Sequence, residues 1–186
     1  MKGPIIVTGC QRSGTTFIAN TLANKYKYAI WEDTDWLPII PHIDKVQLMC
    51  ENGIDKLVIQ SPTALPLFPT IFHKIPTVHF VGVKRDIEDI VKSMKRIRWQ
   101  FDEFYHYIDY MYDHIEYMND LWESLKRLLP ETSWTEVKYE DFEGDPLFVP
   151  AEDRKKFTVK QVFPDKPVGT NYWTSDNVTL TLTFDK

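Results

Sequence analysis

The chain has 186 residues, a length that suggests a single domain. It is 43% hydrophobic, 26% charged and 14% aromatic, which is typical of a globular protein and disfavours disorder. The 27 acidic residues outnumber the 22 basic ones, and the net charge of −5 argues against a nucleic-acid-binding protein with a broad basic face. No stretch has the length and apolarity of a signal peptide or a membrane span. We therefore predict a cytoplasmic protein without membrane contact.

The two cysteines, Cys10 and Cys50, are too few to form a metal-ligating set. Nothing else in the sequence indicates secretion, so we predict two reduced and partly buried thiols.

Short apolar runs alternate with helical patterns in the first half of the chain. Strands are predicted at residues 4–8, 28–31, 56–60, 77–83 and 134–139, and helices at residues 13–25 and 87–98. Apolar strands that are separated by helices indicate a parallel sheet covered on both faces. We therefore predict an α/β fold with a parallel sheet of about five strands.

A long helical pattern separates the last two of these strands. Apolar residues spaced alternately by three and four positions run from Phe101 to Leu129, and they predict one long helix that ends at Pro130. Five tyrosines stand beside this stripe, namely Tyr105, Tyr107, Tyr110, Tyr112 and Tyr117. They are either ordinary boundary residues or the lining of a ligand pocket.

The C-terminal part of the sequence gives weaker signals. Residues 144–173 contain four prolines and are predicted to be rich in loops. Residues 178–184 alternate strictly between apolar and polar side chains, which predicts a half-buried strand. This strand either extends the sheet in an antiparallel direction or forms a separate hairpin.

The most specific signal is the segment GCQRSGTT, from Gly9 to Thr16, between the first strand and the first helix. Glycines at such a turn let backbone N–H groups face an anion, and the helix N-terminus adds positive potential. The spacing of the glycines is that of a P-loop and predicts a P-loop nucleotide-kinase-like fold. Thr15 replaces the lysine that reaches the phosphates of a nucleoside triphosphate, so Arg12 is the cation available in the loop.

Residues 11–17, QRSGTTF, resemble the loop with which sulfotransferases bind the 5′-phosphosulfate of 3′-phosphoadenosine 5′-phosphosulfate (PAPS). The Arg-Ser-Gly-Thr-Thr form is similar to that of the tyrosylprotein, carbohydrate and bacterial branches of the family. The resemblance implies that the cofactor is bound by Arg12, Ser13, Gly14, Thr15, Thr16 and Phe17.

Two further matches support this resemblance. The family's 3′-phosphate site is an arginine at the end of the fourth strand and a serine eight residues later, and Arg85 and Ser93 have this spacing. Residues 137–142, VKYEDF, are similar to the family's Tyr-Glu-Asp motif, which implies that Tyr139 lies close to the adenine. We therefore predict one domain over residues 1–186, with a nucleotide-binding core at 1–142 and an irregular extension at 143–186.

Sulfuryl transfer builds negative charge on the bridging oxygen and requires that the acceptor lose a proton. Arg12 is expected to stabilise that charge, and no metal is expected because fixed cations and backbone dipoles supply the positive potential. Tyrosylprotein sulfotransferases have a glutamate base after the second strand, and Glu32 occupies a similar position here. Asp33 and Asp35 compete with Glu32 for this role, and His106 is a more distant candidate.

One departure from the family pattern follows the third strand. Many members have a lysine before a Ser/Thr/Asp-Pro pair there, whereas this chain has Gln60 before Ser61 and Pro62. The resemblance implies sulfuryl transfer from PAPS to a hydroxyl or amine of a small-molecule or peptide acceptor. The tyrosines of the long helix favour a phenol, a tyrosine or a hydrophobic alcohol over a highly charged glycan. The alternatives are a non-catalytic protein that binds PAPS-type nucleotides and an ATP-dependent small-molecule kinase.

Overall fold

The computed structural model describes residues 3–31, 43–96, 108–148, 155–159 and 180–184. The strands are β1 (Ile5–Gly9), β2 (Ala29–Trp31), β3 (Leu57–Gln60), β4 (His79–Lys84), β5 (Trp134–Lys138), β6 (Lys155–Val159) and β7 (Leu180–Phe184). The α-helices are α1 (Thr15–Tyr26), α2 (Ile43–Glu51), α3 (Phe68–Lys74), α4 (Ile87–Arg96) and α5 (Ile108–Lys126). Short 3-10 helices span Pro62–Leu67, Glu131–Ser133 and Tyr139–Phe142.

The seven strands form one sheet in the order β5-β4-β1-β3-β2-β7-β6. The first five run parallel, which confirms the predicted parallel α/β fold. Every residue of β1 is buried, since this strand lies between β4 and β3 and is covered on both faces. Because the strands run parallel, β1, β3, β4 and β5 all end at one edge of the sheet, and the loops that follow them meet there.

Buried side chains form a hydrophobic layer on each face of the sheet. Helix α1 packs Ile18 and Leu22 against one face. Helices α2 to α5 cover the other face, where Phe68 stacks on Phe80 with ring centroids 3.9 Å apart. A fully buried aromatic side chain of this size contributes about 2–3 kcal/mol to stability, so the two layers hold the edge of the sheet in a fixed geometry.

Helix α5 confirms the long predicted helix over Ile108–Lys126, while residues 97–107 lie outside the described part of the chain. Its buried stripe includes Ile115, Met118 and Trp122. A Cβ atom at Gly82 of β4 would lie 2.3 Å from the indole of Trp122, so the helix approaches the sheet as closely as a glycine allows. The regular helix ends at Lys126, four residues before the predicted end at Pro130. Beyond it, the amides of Leu128 and Leu129 form isolated turn hydrogen bonds with the carbonyl oxygens of Leu125 and Lys126.

The C-terminal strand β7 pairs with β2 in an antiparallel direction and also pairs with β6. The first of the two alternatives considered for this strand, an antiparallel extension of the sheet, is therefore confirmed, and the second, a separate hairpin, was wrong. Strand β6 lies in the segment predicted to be loop-rich, and that prediction was wrong for these five residues. The sequence KKFTV begins with two lysines, which are typical of an edge strand. They obscure the alternation of apolar and polar residues by which a strand is recognised. The division of the single domain into a nucleotide-binding core at 1–142 and an irregular extension at 143–186 stays a prediction.

Helices α2 and α3 were not predicted either, because they span only nine and seven residues and prolines at positions 66, 69 and 76 interrupt the pattern around α3. Within the described residues, no helix combines the length and the apolarity needed to cross a bilayer.

Candidate functional site

The loop between β1 and α1 turns the chain at the carboxyl edge of the sheet. Arg12 and Gly14 have positive φ angles of 69° and 95°, and the Ser13 amide donates to the carbonyl oxygen of Cys10 over 3.1 Å. Helix α1 begins after Gly14 without a side-chain cap and without an acidic residue in its first turn. Its first amide groups are therefore left without a side-chain acceptor, an arrangement that suits an anion.

Arg12, Arg85 and Ser93 come together beside this loop, although they are far apart in the sequence. Arg12 donates from Nε to Ser93 Oγ over 3.1 Å, and Arg85 donates from Nη1 to the carbonyl oxygen of Arg12 over 3.2 Å. Since β1 and β4 are neighbours in the sheet, the loop after β1 meets the turn after β4 and helix α4. The two segments thus form one polar surface, which we call the arginine surface.

The arginines at and beside the arginine surface are not ion-paired within the described part of the chain. No carboxylate in the described part of the chain forms an ion pair with Arg12, Arg85 or Arg96. Burial, followed by the charges of Arg96 and Arg85, lowers the pKa of Arg12. The Nε of Arg85 and the hydroxyl of Ser13 are buried and have no hydrogen-bond partner among the described residues. Unpaired buried donors are costly, so this surface is suited to an anion rich in acceptor atoms.

Tyr139 begins the 3-10 helix after β5 and lies over the loop. Its ring centroid is 4.3 Å from Cζ of Arg85 and 5.5 Å from the ring centroid of Phe17. A Cβ atom at Gly14 would lie 2.2 Å from Cδ2 of Tyr139, so no larger residue fits beneath the ring. Phe17 in turn stacks on Phe148 with centroids 4.5 Å apart. These rings form an aromatic wall beside the arginine surface.

Gln60 ends β3 on the opposite side of the loop from β4. Its side chain is buried and donates from Nε2 to Oγ1 of Thr15 over 3.0 Å. A hydroxyl that accepts a hydrogen bond in this way directs its own proton elsewhere. Thr15 can therefore donate that proton to an anion held in the loop.

Helix α5 contacts the loop on a third side. His114 Nε2 lies 2.8 Å from Oε1 of Gln11, and both side chains are half-buried. Burial lowers the pKa of His114, so the neutral ring is favoured. The loop is thus contacted by α4, β3 and α5 at once.

Residues 32–148, more than half of the chain, match the sequence model described as the sulfotransferase family. The chain belongs to the sulfotransferase family. The matched residues of this sulfotransferase include Arg85, Ser93 and Tyr139, whereas the loop at residues 9–14 precedes the match. The family resemblance inferred from the loop and from the two later motifs is therefore confirmed.

Two solved structures share the fold of this sulfotransferase. A sulfotransferase domain from the curacin biosynthetic pathway is 15% identical, with a TM-score of 0.54, over 78% of this chain and 70% of that one. A sulfotransferase from Mycobacterium tuberculosis H37Rv is 15% identical, with a TM-score of 0.53, over 79% of this chain and 65% of that one. At this identity the likeness shows the fold. A comparison with curated proteins gives no match.

The structure brings most of the predicted site residues of this sulfotransferase to one edge of the sheet. These residues are Arg12, Ser13, Gly14, Thr15, Thr16, Phe17, Arg85, Ser93 and Tyr139. The predicted base Glu32 and its competitors Asp33 and Asp35 lie outside the described residues, as does His106. The roles assigned to all of these side chains stay predictions.

The tyrosines of α5 do not gather around one cavity in the described part of the chain. Tyr110 and Tyr117 are exposed, and Tyr112 donates to Oε1 of Glu88 over 2.7 Å. Tyr105 and Tyr107 lie outside the described residues.

Sequence reasoning missed the contact between Gln11 and His114. The two residues are 103 positions apart, and His114 belongs to no recognisable motif. Only the packing of α5 against the sheet brings them together.

Proposed function

We propose that this sulfotransferase moves a sulfuryl group from PAPS to a hydroxyl or amine of a small-molecule or peptide acceptor. The observation that carries the proposal is the hydrogen bond from Arg12 to Ser93, which joins the loop after β1 to helix α4 in one cationic surface. A ligand with phosphates at both its 3′ and 5′ positions suits such a surface better than a nucleotide phosphorylated at the 5′ position alone.

The order of the strands supports this proposal. Along the carboxyl edge of the sheet, Tyr139 follows β5, Arg85 follows β4, the loop follows β1 and Gln60 ends β3. This order suits a ligand that extends from adenine through the 3′-phosphate to the 5′-phosphosulfate. When bound, PAPS supplies the sulfuryl group and leaves as adenosine 3′,5′-bisphosphate. The unpaired Nε of Arg85 and hydroxyl of Ser13 are donors of the kind that phosphate oxygens need.

We propose that Arg12 and Glu32 carry the chemistry. The guanidinium of Arg12 would stabilise the negative charge that develops on the bridging oxygen, and removal of such a donor typically costs about 3–4 kcal/mol of transition-state stabilisation. Glu32, or Asp33 in its place, would accept the proton of the acceptor hydroxyl.

Two alternatives predict different ligands or no turnover. An ATP-dependent kinase would need a cation at the position of Thr15, where a P-loop has its lysine. A protein that only binds the nucleotide is suggested by Gln60, which stands where many members have a lysine.

Ligand-dependent stabilisation separates these possibilities, because a ligand that binds only the folded state raises the melting temperature. We expect adenosine 3′,5′-bisphosphate to raise Tm more than ATP with Mg²⁺ does. The Arg85→Ala variant should lose this shift, while Arg127→Ala, a matched change at an exposed site, should keep it. A larger shift with ATP would favour the kinase.

Turnover of sulfur-labelled PAPS over a panel of phenols, tyrosyl peptides, alcohols and amines tests the transfer itself. Wild-type protein should label at least one acceptor, and Arg12→Ala should reduce the rate by about 100-fold or more. Wild-type protein that binds the bisphosphate but labels no more acceptor than Arg12→Ala would indicate a binding protein.

A further inference from the structure

We propose that Gln11, oriented by His114, is a further ligand of the sulfuryl group and acts on it as a neutral hydrogen-bond donor. Gln11 is thus a binding residue for the group that is transferred, and His114 is a positioning residue that acts through it. The inference rests on the proposed function, because it assigns a contact within the same loop.

The chemistry of the amide gives the direction of the contact. An amide side chain has one oxygen that accepts and one NH₂ group that donates. In the structure the oxygen of Gln11 faces Nε2 of His114 at 2.8 Å, so the ring donates and the amide accepts. The NH₂ group of Gln11 is then left to donate to another partner.

The side chains on the two sides of the loop differ in charge, and this difference indicates which side contacts the sulfuryl group. Gln11 and Arg12 are the only side chains with N–H donors between Gly9 and Thr16. Arg12 is directed to Ser93 on the side of the arginine surface, whereas Gln11 is directed to α5. A terminal phosphate carries up to two negative charges and suits Arg85, whose Nε has no hydrogen-bond partner among the described residues.

A sulfuryl group carries one negative charge spread over three oxygens, and neutral donors suit it better. Such donors hold the group without the strong ground-state stabilisation that a full cation would add. On the other side of the loop, the uncharged amide of Gln60 orients the hydroxyl of Thr15, which is a second neutral donor. The pair of glutamines thus supplies uncharged donors on both sides of the loop.

His114 stands on a rigid support. Helix α5 is held against β4 by the close contact between Trp122 and Gly82, and Ile115, next to His114, is fully buried. A donor on a fixed helix orients the amide of Gln11 before any ligand arrives, which reduces the cost of ordering it on binding.

The test compares PAPS with adenosine 3′,5′-bisphosphate, which differs from it by the sulfuryl group alone. Titration calorimetry without acceptor gives the ratio of the two dissociation constants. We expect Gln11→Met, which keeps the length of the side chain but loses the amide, to shift this ratio against PAPS by about tenfold. The affinity for the bisphosphate should change by less than about twofold. Gln47→Met, a matched change on α2, should leave the ratio unaltered.

The role of His114 is tested by rescue. His114→Phe keeps a ring but removes the donor, and we expect it to shift the ratio in the same direction as Gln11→Met, by about threefold. His114→Gln offers an amide donor near the position of Nε2 and should restore most of the ratio. A merely structural role would instead lower both affinities in parallel. Thermal unfolding of each variant shows whether it is folded, and Gln11→Met tests the sulfuryl contact even where His114→Phe fails to fold.

The outcomes separate this inference from the proposed function. A wild-type ratio in Gln11→Met, or an equal loss of affinity for both ligands, would overturn the sulfuryl contact while leaving PAPS as the donor. Wild-type protein that binds neither ligand would overturn the proposed function and this inference together. If Gln11→Met shifts the ratio of the two dissociation constants but His114→Phe does not, then His114 does not position Gln11.

Discussion

Arg12 and Ser93, 81 residues apart, are joined by a hydrogen bond of 3.1 Å from Nε to Oγ. The hydroxyl of Ser93 accepts from Arg12 and can donate its own proton to a phosphate oxygen. A phosphate at this position would receive donors from Ser93 and from two guanidinium groups. The bond therefore connects the loop that we assign to the transferring group with the residues that we assign to the 3′-phosphate.

Ser93→Ala should weaken binding of adenosine 3′,5′-bisphosphate by about tenfold, because one donor to a charged group is lost. Binding of AMP, which has no 3′-phosphate, should change by less than about twofold. Titration calorimetry with both nucleotides measures the two effects. Ser124→Ala, at an exposed position on α5, is the matched control and should change neither affinity. Equal losses for both nucleotides would show that Ser93 supports the loop as a whole.

Gly14→Ala should destabilise the protein by about 2–4 kcal/mol. The residue has a φ angle of 95°, and a Cβ atom there would overlap the ring of Tyr139. Gly53→Ala is the matched control, since Gly53 has a φ angle of 81° but open space where its Cβ would lie, and it should cost only about 1 kcal/mol. Urea unfolding measures both values. Equal costs at the two positions would contradict the close contact with Tyr139.

Gln60 and Thr15 should be coupled energetically. Gln60→Met leaves the buried hydroxyl of Thr15 without its donor, and Thr15→Val leaves the buried amide of Gln60 without that acceptor. We expect each single change to destabilise the protein and the double variant to be more stable than the sum of the two changes predicts, by about 1 kcal/mol. Denaturant unfolding of the four proteins gives this coupling energy. Strict additivity would mean that the two side chains do not interact.

The buried thiol of Cys10 should make stability depend on pH in the alkaline range. Burial raises the pKa of Cys10 from 9.0 to about 12, so the folded state keeps its proton while the unfolded chain ionises above about pH 9. Stability is then lost as the pH rises from about 9 toward about 12. Between about pH 8 and pH 10, the stability of the wild type relative to Cys10→Ala should fall by about 1 kcal/mol.

Urea unfolding of both proteins at the two pH values checks this prediction. Other groups that titrate in this range, including Cys50, are common to the two proteins and cancel in the difference. A difference that stays constant with pH would show that the thiol of Cys10 is not shielded from solvent in the folded state.

Local sequence patterns were sufficient to predict much of the fold. The five parallel strands were predicted from short apolar runs, and the first helix and the long helix α5 from periodic apolar patterns, each within one element. Strand β6 lacked such a pattern because its lysines lie at the edge of the sheet, where burial does not select apolar residues. Helices α2 and α3 span only nine and seven residues, too few for a helical period to stand out in the sequence.

The candidate site divides in the same way. The residues from Arg12 to Phe17 are contiguous, and Arg85 and Ser93 keep a fixed spacing across one turn and one helix, so the sequence alone determined the loop, the family and the candidate phosphate ligands. The contacts of Gln11 with His114 and of Gln60 with Thr15 join elements that are 103 and 45 residues apart. No periodicity encodes such contacts, because they depend on strand order and on how closely α5 approaches Gly82. Only the tertiary structure decided which neutral donors stand around the loop and that Arg12 faces Ser93.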